Sequence, residues 1–187
     1  MARARVSRRG DGSDRLRGVR VFLVRHGDAD ADIPEGLEDE ARALTTRARL
    51  ALPTHFAPLA SRIGVPTLIF MSPLVRAVQT ATLLAQALQY EGPMKTNRTL
   101  FPDGPVGAIE ALLAERHGET IVLVGHQPSM GSTAAHFLGL GSFPKPVQPG
   151  TVIGIERPDD NLTVGKLLFY AAPGQPVFEG PLVVDTP

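Results

Sequence analysis

Two histidines and two arginines lie at comparable places in the sequence, each close behind an apolar run. They are Arg25 and His26 after residues 20–24, Arg76 after residues 67–71, and His126 after residues 120–124. Guanidinium groups bind phosphate through two parallel hydrogen bonds. A neutral imidazole nitrogen can attack phosphorus and hold the phosphoryl group covalently. These residue types therefore predict the chemistry of a phosphate group.

The three apolar runs predict buried strands, and helical patterns lie between them. Short runs rich in Val, Ile, Leu and Phe are typical of parallel strands that are covered on both faces. Two further β-like runs, residues 151–156 and 162–170, predict an antiparallel hairpin at the sheet edge. Strands that alternate with helices predict a three-layer α/β/α fold around a mostly parallel central sheet.

The predicted helices begin close to the chemical residues. Residues 46–63 have a helical pattern, which Pro53 and Pro58 must kink or split. Ser72 and Pro73 predict the next helix start, with serine as the N-cap and proline as the first helical residue. Ligands of open α/β sheets bind beyond the carboxyl ends of the strands. We therefore expect the four residues at one edge of the sheet, beside helix N-termini that favour anions.

Each of these residues also has a purely structural explanation when it is taken alone. Arg25 and His26 fit a turn with surface side chains. His126 fits a helix cap or a core histidine, and Arg76 fits a solvated cation one turn into a helix. Four separate structural explanations do not account for the fact that all four side chains suit phosphate chemistry and all follow predicted strands. The combination favours a phosphate site.

Three blocks of sequence are specific enough to suggest a family. They are VFLVRHG at residues 21–27, SPLVRAVQT at residues 72–80 and VGHQP at residues 124–128. The blocks resemble the signatures of the histidine phosphatase superfamily, the phosphoglycerate-mutase-like enzymes. Their order and spacing agree with that superfamily over residues 20–140.

Within the superfamily, the chain resembles the small SixA-like phosphohistidine phosphatases. The further shared segments are Arg-His-Gly-Asp-Ala at residues 25–29, Leu-Thr-Thr at residues 44–46 and a Leu-x-Pro-x-Gly turn at residues 100–104. The interval between the first two blocks is short. It leaves no room for the capping insertions that larger relatives place over the site.

The resemblance implies a mechanism and a role for each residue. His26 is expected to be the nucleophile, forming a phosphohistidine intermediate that water then hydrolyses. Arg25, Arg76 and His126, with Gly27, are expected to bind the phosphoryl oxygens and to stabilise the transition state by charge and position. No metal and no organic cofactor is implied. His26 must be neutral, and its other ring nitrogen must donate to a fixed acceptor, for which a backbone carbonyl near Gly27 is suitable.

The proton donor for the leaving group is the least defined part of the site. Larger relatives use a carboxylic acid after the third strand, and the carboxyl in that segment here is Asp103. Asp103 also fits a turn-forming residue before Gly104. Asp28 is a second candidate, and a loop carboxylate paired with an arginine is its alternative explanation. An imidazole leaving group tolerates a weakly defined acid, whereas an alkoxide needs firm protonation.

Composition excludes several other classes of protein. The 187 residues include no cysteine, which excludes disulfides and thiolate chemistry. No apolar run is long enough to cross a membrane and no secretory signal is present, so we expect a cytoplasmic protein. Net charge is zero, with 19 basic and 19 acidic residues. Residues 1–20, however, carry seven arginines and two aspartates, which leaves the remainder acidic.

These observations predict three regions and one main function. Residues 1–18 are expected to be a flexible basic tail, residues 19–172 a histidine phosphatase domain, and residues 173–187 a C-terminal extension. The predicted function is that of a metal-independent phosphatase acting on protein phosphohistidine. Small phosphate esters are the alternative substrates, and a non-catalytic phosphate-binding module is the alternative of a different class. Nucleic-acid binding by the tail is weakly supported, because no aromatic residues accompany its arginines.

Overall fold

The computed structural model describes residues 18–33, 35–158 and 164–182. Its six strands are β1 (Val19–Arg25), β2 (Leu68–Met71), β3 (Met94–Thr96), β4 (Thr120–Gly125), β5 (Val152–Arg157) and β6 (Lys166–Ala171). The α-helices are α1 (Thr46–Phe56), α2 (Ala60–Ile63), α3 (Val75–Ala87), α4 (Val106–Leu113) and α5 (Ser129–Phe137). Short 3-10 turns cover Asp39–Ala41, Ala57–Leu59 and Arg98–Leu100.

The strands form one sheet in the order β3-β2-β4-β1-β5-β6. The pairs β3–β2, β2–β4 and β4–β1 are parallel, and β5 and β6 add an antiparallel hairpin at the edge. Arg25 is paired with Gly125, and Met71 with Val124. The three strands that precede the chemical residues are thus neighbours at the centre of the sheet, and they end at the same level.

Two apolar clusters cover the two faces of the sheet. Alternate residues of β1 point to opposite faces, so that Phe22 and Val24 pack with α1 and α3, whereas Val21 and Leu23 pack with α4 and α5. All four side chains are fully buried. This arrangement is the three-layer α/β/α fold with a mostly parallel centre that the sequence predicts.

The helix boundaries differ from the sequence prediction at two places. The helical run that begins at Thr46 passes through Pro53 and is split only at Ala57–Leu59, where Pro58 occupies the first turn of a 3-10 helix. The predicted N-cap at Ser72 is wrong, because the next helix begins at Val75 with Leu74 as its N-cap and no capping side chain. The hydroxyl of Ser72 forms a hydrogen bond with His126 instead.

Part of the predicted C-terminal extension packs on the sheet. Phe178 exchanges two backbone hydrogen bonds with Tyr170 of β6, at 2.8 and 2.9 Å. Glu179 forms an ion pair of 2.6 Å with Arg62. The predicted tail lies outside the described residues except for Gly18. Across the described parts of the chain, no helix is long and apolar enough to cross a membrane.

Candidate active site

His26 lies directly beyond the end of β1, and backbone hydrogen bonds hold it in place. Its N–H donates to the carbonyl of Gly125 at 2.9 Å, and its own carbonyl accepts from the N–H of Gly150 at 3.1 Å. The ring atom Nδ1 lies 2.6 Å from the carbonyl oxygen of Gly27. Because a carbonyl can only accept, Nδ1 carries the proton and Nε2 of the neutral ring keeps its lone pair. The acceptor is the carbonyl that the sequence analysis suggested.

The His26 ring is neutral over the ordinary range of pH. Burial lowers its pKa to about 4. The hydrogen bond to Gly27 acts in the opposite direction, and the positive charges of Arg76, Arg25 and Arg42 lower the pKa further. An unprotonated imidazole close to cationic side chains has the properties that a nucleophile for an anionic group requires.

His126 is the second histidine of the site and is almost completely buried, with 2% of its surface exposed. Its ring centroid lies 4.8 Å from that of His26. Burial lowers the pKa of His126 to about 3, and His26 and Arg76 contribute to the shift. Nε2 of His126 forms a hydrogen bond of 2.8 Å with Oγ of Ser72. This bond links the ends of β4 and β2 and explains why Ser72 does not cap the following helix.

Arg25 and Arg76 approach the histidines from different sides. Nη1 of Arg25 donates to the carbonyl of Val147 at 2.8 Å, which fixes its guanidinium against the segment before β5. Arg76, in the first turn of α3, is only 3% exposed. Both arginines act on the His26 pKa, so the two cations and the two imidazoles belong to one cluster.

Arg76 is held by a residue that the sequence analysis did not select. Its Nη1 and Nη2 donate to the carbonyl oxygen and to Oδ2 of Asp39, each at 2.9 Å. The other carboxylate oxygen of Asp39 lies 2.8 Å from Nε of Arg42. These bonds lower the pKa of Asp39, although desolvation by itself acts to raise it. A carboxylate from the acidic loop between β1 and α1 thus joins two arginines at the site.

Gly27 occupies a place where a side chain does not fit. A Cβ there would lie 2.6 Å from Cδ1 of Leu52 and 3.2 Å from Cδ2 of Leu44. Its N–H donates to Oγ1 of Thr80 at 3.0 Å, and that hydroxyl donates to the carbonyl of Arg76 at 2.7 Å. Thr80 therefore ties the loop after β1 to the first turns of α3.

Asp103 and Asp28 occupy different positions relative to this cluster. Asp103 is exposed in the turn after Leu100, and its carboxylate has no hydrogen-bond or ion-pair partner among the described residues. Asp28 is also exposed, and its charge raises the pKa of Arg25, opposing the larger effect of burial. The carboxylate with direct contacts to a predicted site residue is that of Asp39.

Several buried polar atoms of the cluster have no partner among the described residues. They are Nε of Arg25, Nε of Arg76 and Nδ1 of His126. Buried groups of this kind are costly when they are left unpaired. An oxyanion with several acceptor oxygens is a ligand that fits such a set of nitrogens.

Two clefts flank the cluster, separated by residues 147–149. One, of about 450 Å³, lies beside α1 and is lined in part by Asp28, His55 and Gln148. The other, of about 420 Å³, lies beside α5 and is lined in part by Gln127, Lys145 and Val147. Each cleft contains a residue close in the chain to the predicted site residues, Asp28 in one and Gln127 in the other.

The chain is similar to several known proteins in sequence or in fold. No family model matches the chain. An uncharacterized protein of Picosynechococcus sp. is 37% identical over 123 residues, which are 62% of this chain and 71% of that protein. The structure of the protein histidine phosphatase SixA complexed with tungstate superposes with a TM-score of 0.72 at 25% identity, covering 82% of this chain and 97% of SixA. A mycobacterial glucosyl-3-phosphoglycerate phosphatase shares the fold, with a TM-score of 0.55, 15% identity, and 79% of this chain and 96% of that enzyme covered.

The fold and the relatives define the class of the protein. The chain has the fold of the histidine phosphatase superfamily, the phosphoglycerate-mutase-like proteins, and is similar to SixA over 82% of its length. The similarity to SixA supports a phosphatase activity, with phosphorylated substrates, for this chain.

Proposed function

We propose that this protein is a metal-independent phosphatase that works through a phosphohistidine on His26 and acts on protein phosphohistidine. The observation that carries the proposal is the hydrogen bond of 2.6 Å between Nδ1 of His26 and the carbonyl of Gly27. It leaves Nε2 as the basic nitrogen of a neutral ring, close to Arg25, Arg76 and His126. The likeness to SixA supports the choice of substrate.

In the first step, Nε2 of His26 attacks the phosphorus atom of the substrate. A new P–N bond forms to His26 while the P–N bond to the leaving imidazole breaks, and that imidazole nitrogen takes up a proton. Arg25, Arg76 and His126 bind the equatorial oxygens, where charge is spread in a loose transition state. In the second step, water attacks the phosphorus atom, the bond to His26 breaks, and inorganic phosphate and free His26 result.

Asp103 remains the predicted proton donor, with Asp28 as its alternative. The three variants Asp103→Asn, Asp28→Asn and Asp39→Asn distinguish the carboxyls. Loss of the true donor lowers kcat for an alkyl phosphate more than for an aryl phosphate or a phosphohistidine, whose leaving groups need less protonation. An equal loss for all three substrates contradicts a donor role for that residue.

The central test compares the wild type with His26→Ala. We expect the variant to lose turnover of an aryl phosphate and the ability to form an acid-labile, base-stable phosphoenzyme. His117→Ala, which removes an exposed histidine outside the cluster and outside both clefts, is the matched control and keeps both. Full activity in His26→Ala contradicts the mechanism.

A second candidate keeps the mechanism and changes the substrate to a small phosphate ester. The two clefts beside the cluster favour it, since each has room for a small organic group. A phosphohistidine-bearing protein and a panel of small esters separate the candidates by kcat/KM. Preference for an ester by orders of magnitude contradicts the phosphohistidine assignment.

A further inference from the structure

The cleft beside α5, here called the α5 cleft, is lined by groups that donate hydrogen bonds. Besides apolar residues it contains Gln127, Ser132, Ser142 and Lys145, and also His136, whose Nε2 lies 3.3 Å from Oε2 of Glu110. None of the described residues that line it is acidic. The cleft beside α1 contains both Arg47 and Asp28, so a carboxylate there offsets the cation. The α5 cleft is therefore the side of the site that suits a negative charge.

The α5 cleft adjoins the predicted phosphate site through two of its lining residues. Gln127 follows His126 in the chain, and Val147, on the other wall, accepts the hydrogen bond from Arg25 at 2.8 Å. Oε1 of Gln127 accepts from the N–H of Gly131 at 3.0 Å, which leaves its amide nitrogen as a donor. A substrate bound at the predicted phosphate site therefore has this cleft beside it.

Lys145 is a cation held in place by aromatic rings. Its Nζ lies 3.9 Å from the ring centroid of Phe178 and 5.4 Å from that of Tyr170. The hydroxyl of Tyr170 donates to the carbonyl of Pro146 at 2.6 Å, which fixes the chain beside Lys145. The rings attract the ammonium group through cation–π interactions. They supply no oxygen acceptor, so its three N–H groups remain donors for a ligand. Lys145 forms no ion pair with any described carboxylate.

We propose that the α5 cleft binds a second anionic group of the substrate, a carboxylate or a phosphate, and that Lys145 pairs with it. The proposal rests on the proposed function, since it assigns the part of the substrate beyond the reacting phosphoryl group. It also gives the described part of the C-terminal extension a role, because Phe178 positions the ammonium group. The second anion can belong to a small ester or to an acidic side chain near a phosphohistidine.

The test compares 3-carboxyphenyl phosphate with 3-carbamoylphenyl phosphate, which have the same shape and differ in one charge. We expect the wild type to favour the carboxylate by about fivefold in kcat/KM, as is typical of one partly exposed ion pair. Lys145→Met, which keeps an apolar stem against the rings, lowers that ratio to about one, and Lys145→Arg keeps it. Lys166→Met removes a lysine from β6 and is the matched control, with the wild-type ratio.

Two further arms complete the experiment. Calorimetric titration of both esters gives a ratio of Kd even without turnover. If the carboxylate ester binds more tightly but neither ester is hydrolysed, the phosphatase function is contradicted and the anion site in the cleft is supported. Equal Kd values for the two esters overturn that anion site. A ratio of Kd values that is unchanged in Lys145→Met overturns it as well. Phosphohistidine peptides with Glu or Gln beside the modified residue repeat the comparison for a protein source. A preference that depends on Lys145, in the two esters or in the two peptides, supports the proposal. It also shows whether the second anion comes from a small ester or from a protein.

Discussion

At the scale of single residues, His26 and His126 are imidazoles kept neutral by their surroundings. Burial is the largest cause for both, and the neighbouring arginines add to it. A buried histidine that stays neutral makes the free energy of unfolding depend on pH, because the unfolded chain binds the protons that the folded chain excludes.

We predict that both histidines titrate well below the ordinary pKa of 6.5, His26 near 4 and His126 near 3. As the pH falls from about 6.5 towards 4, the unfolded chain is protonated first, so the free energy of unfolding decreases by up to about 1.4 kcal/mol per pH unit for each histidine. NMR of the ring carbons checks the pKa values, with signals assigned through His26→Gln and His126→Gln. Urea unfolding over the same pH range checks the slope. Midpoints near 6.5 contradict the prediction.

Gly27 gives a prediction about packing. Gly27→Ala forces a methyl group against Leu52 and Leu44, and we expect it to lower the free energy of unfolding by about 1–3 kcal/mol. Because the carbonyl of Gly27 orients the His26 ring, kcat should fall as well. Gly107→Ala, in α4 with nothing near the added Cβ, is the control and should stabilise the protein by about 0.5–1 kcal/mol. Urea denaturation measures both, and equal effects contradict the steric explanation.

At the scale of elements, the acidic loop between β1 and α1 is attached to α3 at identifiable points. Asp39 binds Arg76, and the N–H of Leu44 donates to Oε1 of Gln79 at 2.7 Å. The loop carries seven acidic residues between Asp28 and Glu40. The negative charge beside the site is thus partly compensated by Arg76 and Arg42.

We predict that Asp39→Ala loosens this loop. Its carboxylate is about half exposed, so the loss in global stability should stay below about 1 kcal/mol. Cleavage after Glu35, Glu38 or Glu40 by a glutamate-specific protease should become faster, because the tie to Arg76 is lost. Asp32→Ala, which removes an exposed acid of the same loop, should leave cleavage unchanged. Equal rates in the two variants would show that the Asp39 contacts do not hold the loop.

The elements were predictable from sequence where the signal is local. The apolar runs at the strands and their alternation with helices lead directly to the sheet and to one edge for the four predicted residues. Ser72 was misassigned because its hydroxyl is bound to His126, 54 residues away, and a serine before a proline fits a cap equally well. Asp39 was missed for a related reason. Its partner Arg76 is 37 residues away, and nothing local separates it from the other acids of the loop.

At the scale of the whole molecule, the described residues after β6 are structural neighbours of the core. Phe178 pairs with Tyr170, and Val177, Phe178 and Leu182 pack against the two apolar clusters. The predicted domain boundary at residue 172 is therefore open to a direct test by truncation.

We predict that a chain ending at Ala172 is less stable than the full chain by about 2–4 kcal/mol, because it exposes the apolar surface that these residues cover. A chain ending at Leu182 keeps all of the described contacts and should match the full chain. Urea unfolding compares the three lengths. Equal stability of the shortest and the full chain would place the structural boundary at residue 172.

The position of β4 between β1 and β2 also determines when the site can form during synthesis. His26 leaves the ribosome early, but its backbone partner is Gly125, and the carbonyl that fixes Arg25 belongs to Val147, 122 residues further along the chain. Contacts between such distant segments form slowly, because long loops must close first. A nascent chain that stops short of Val147 therefore carries all four predicted residues without the carbonyl that fixes Arg25, and we expect full phosphate binding only when the segment between α5 and β5 has been added.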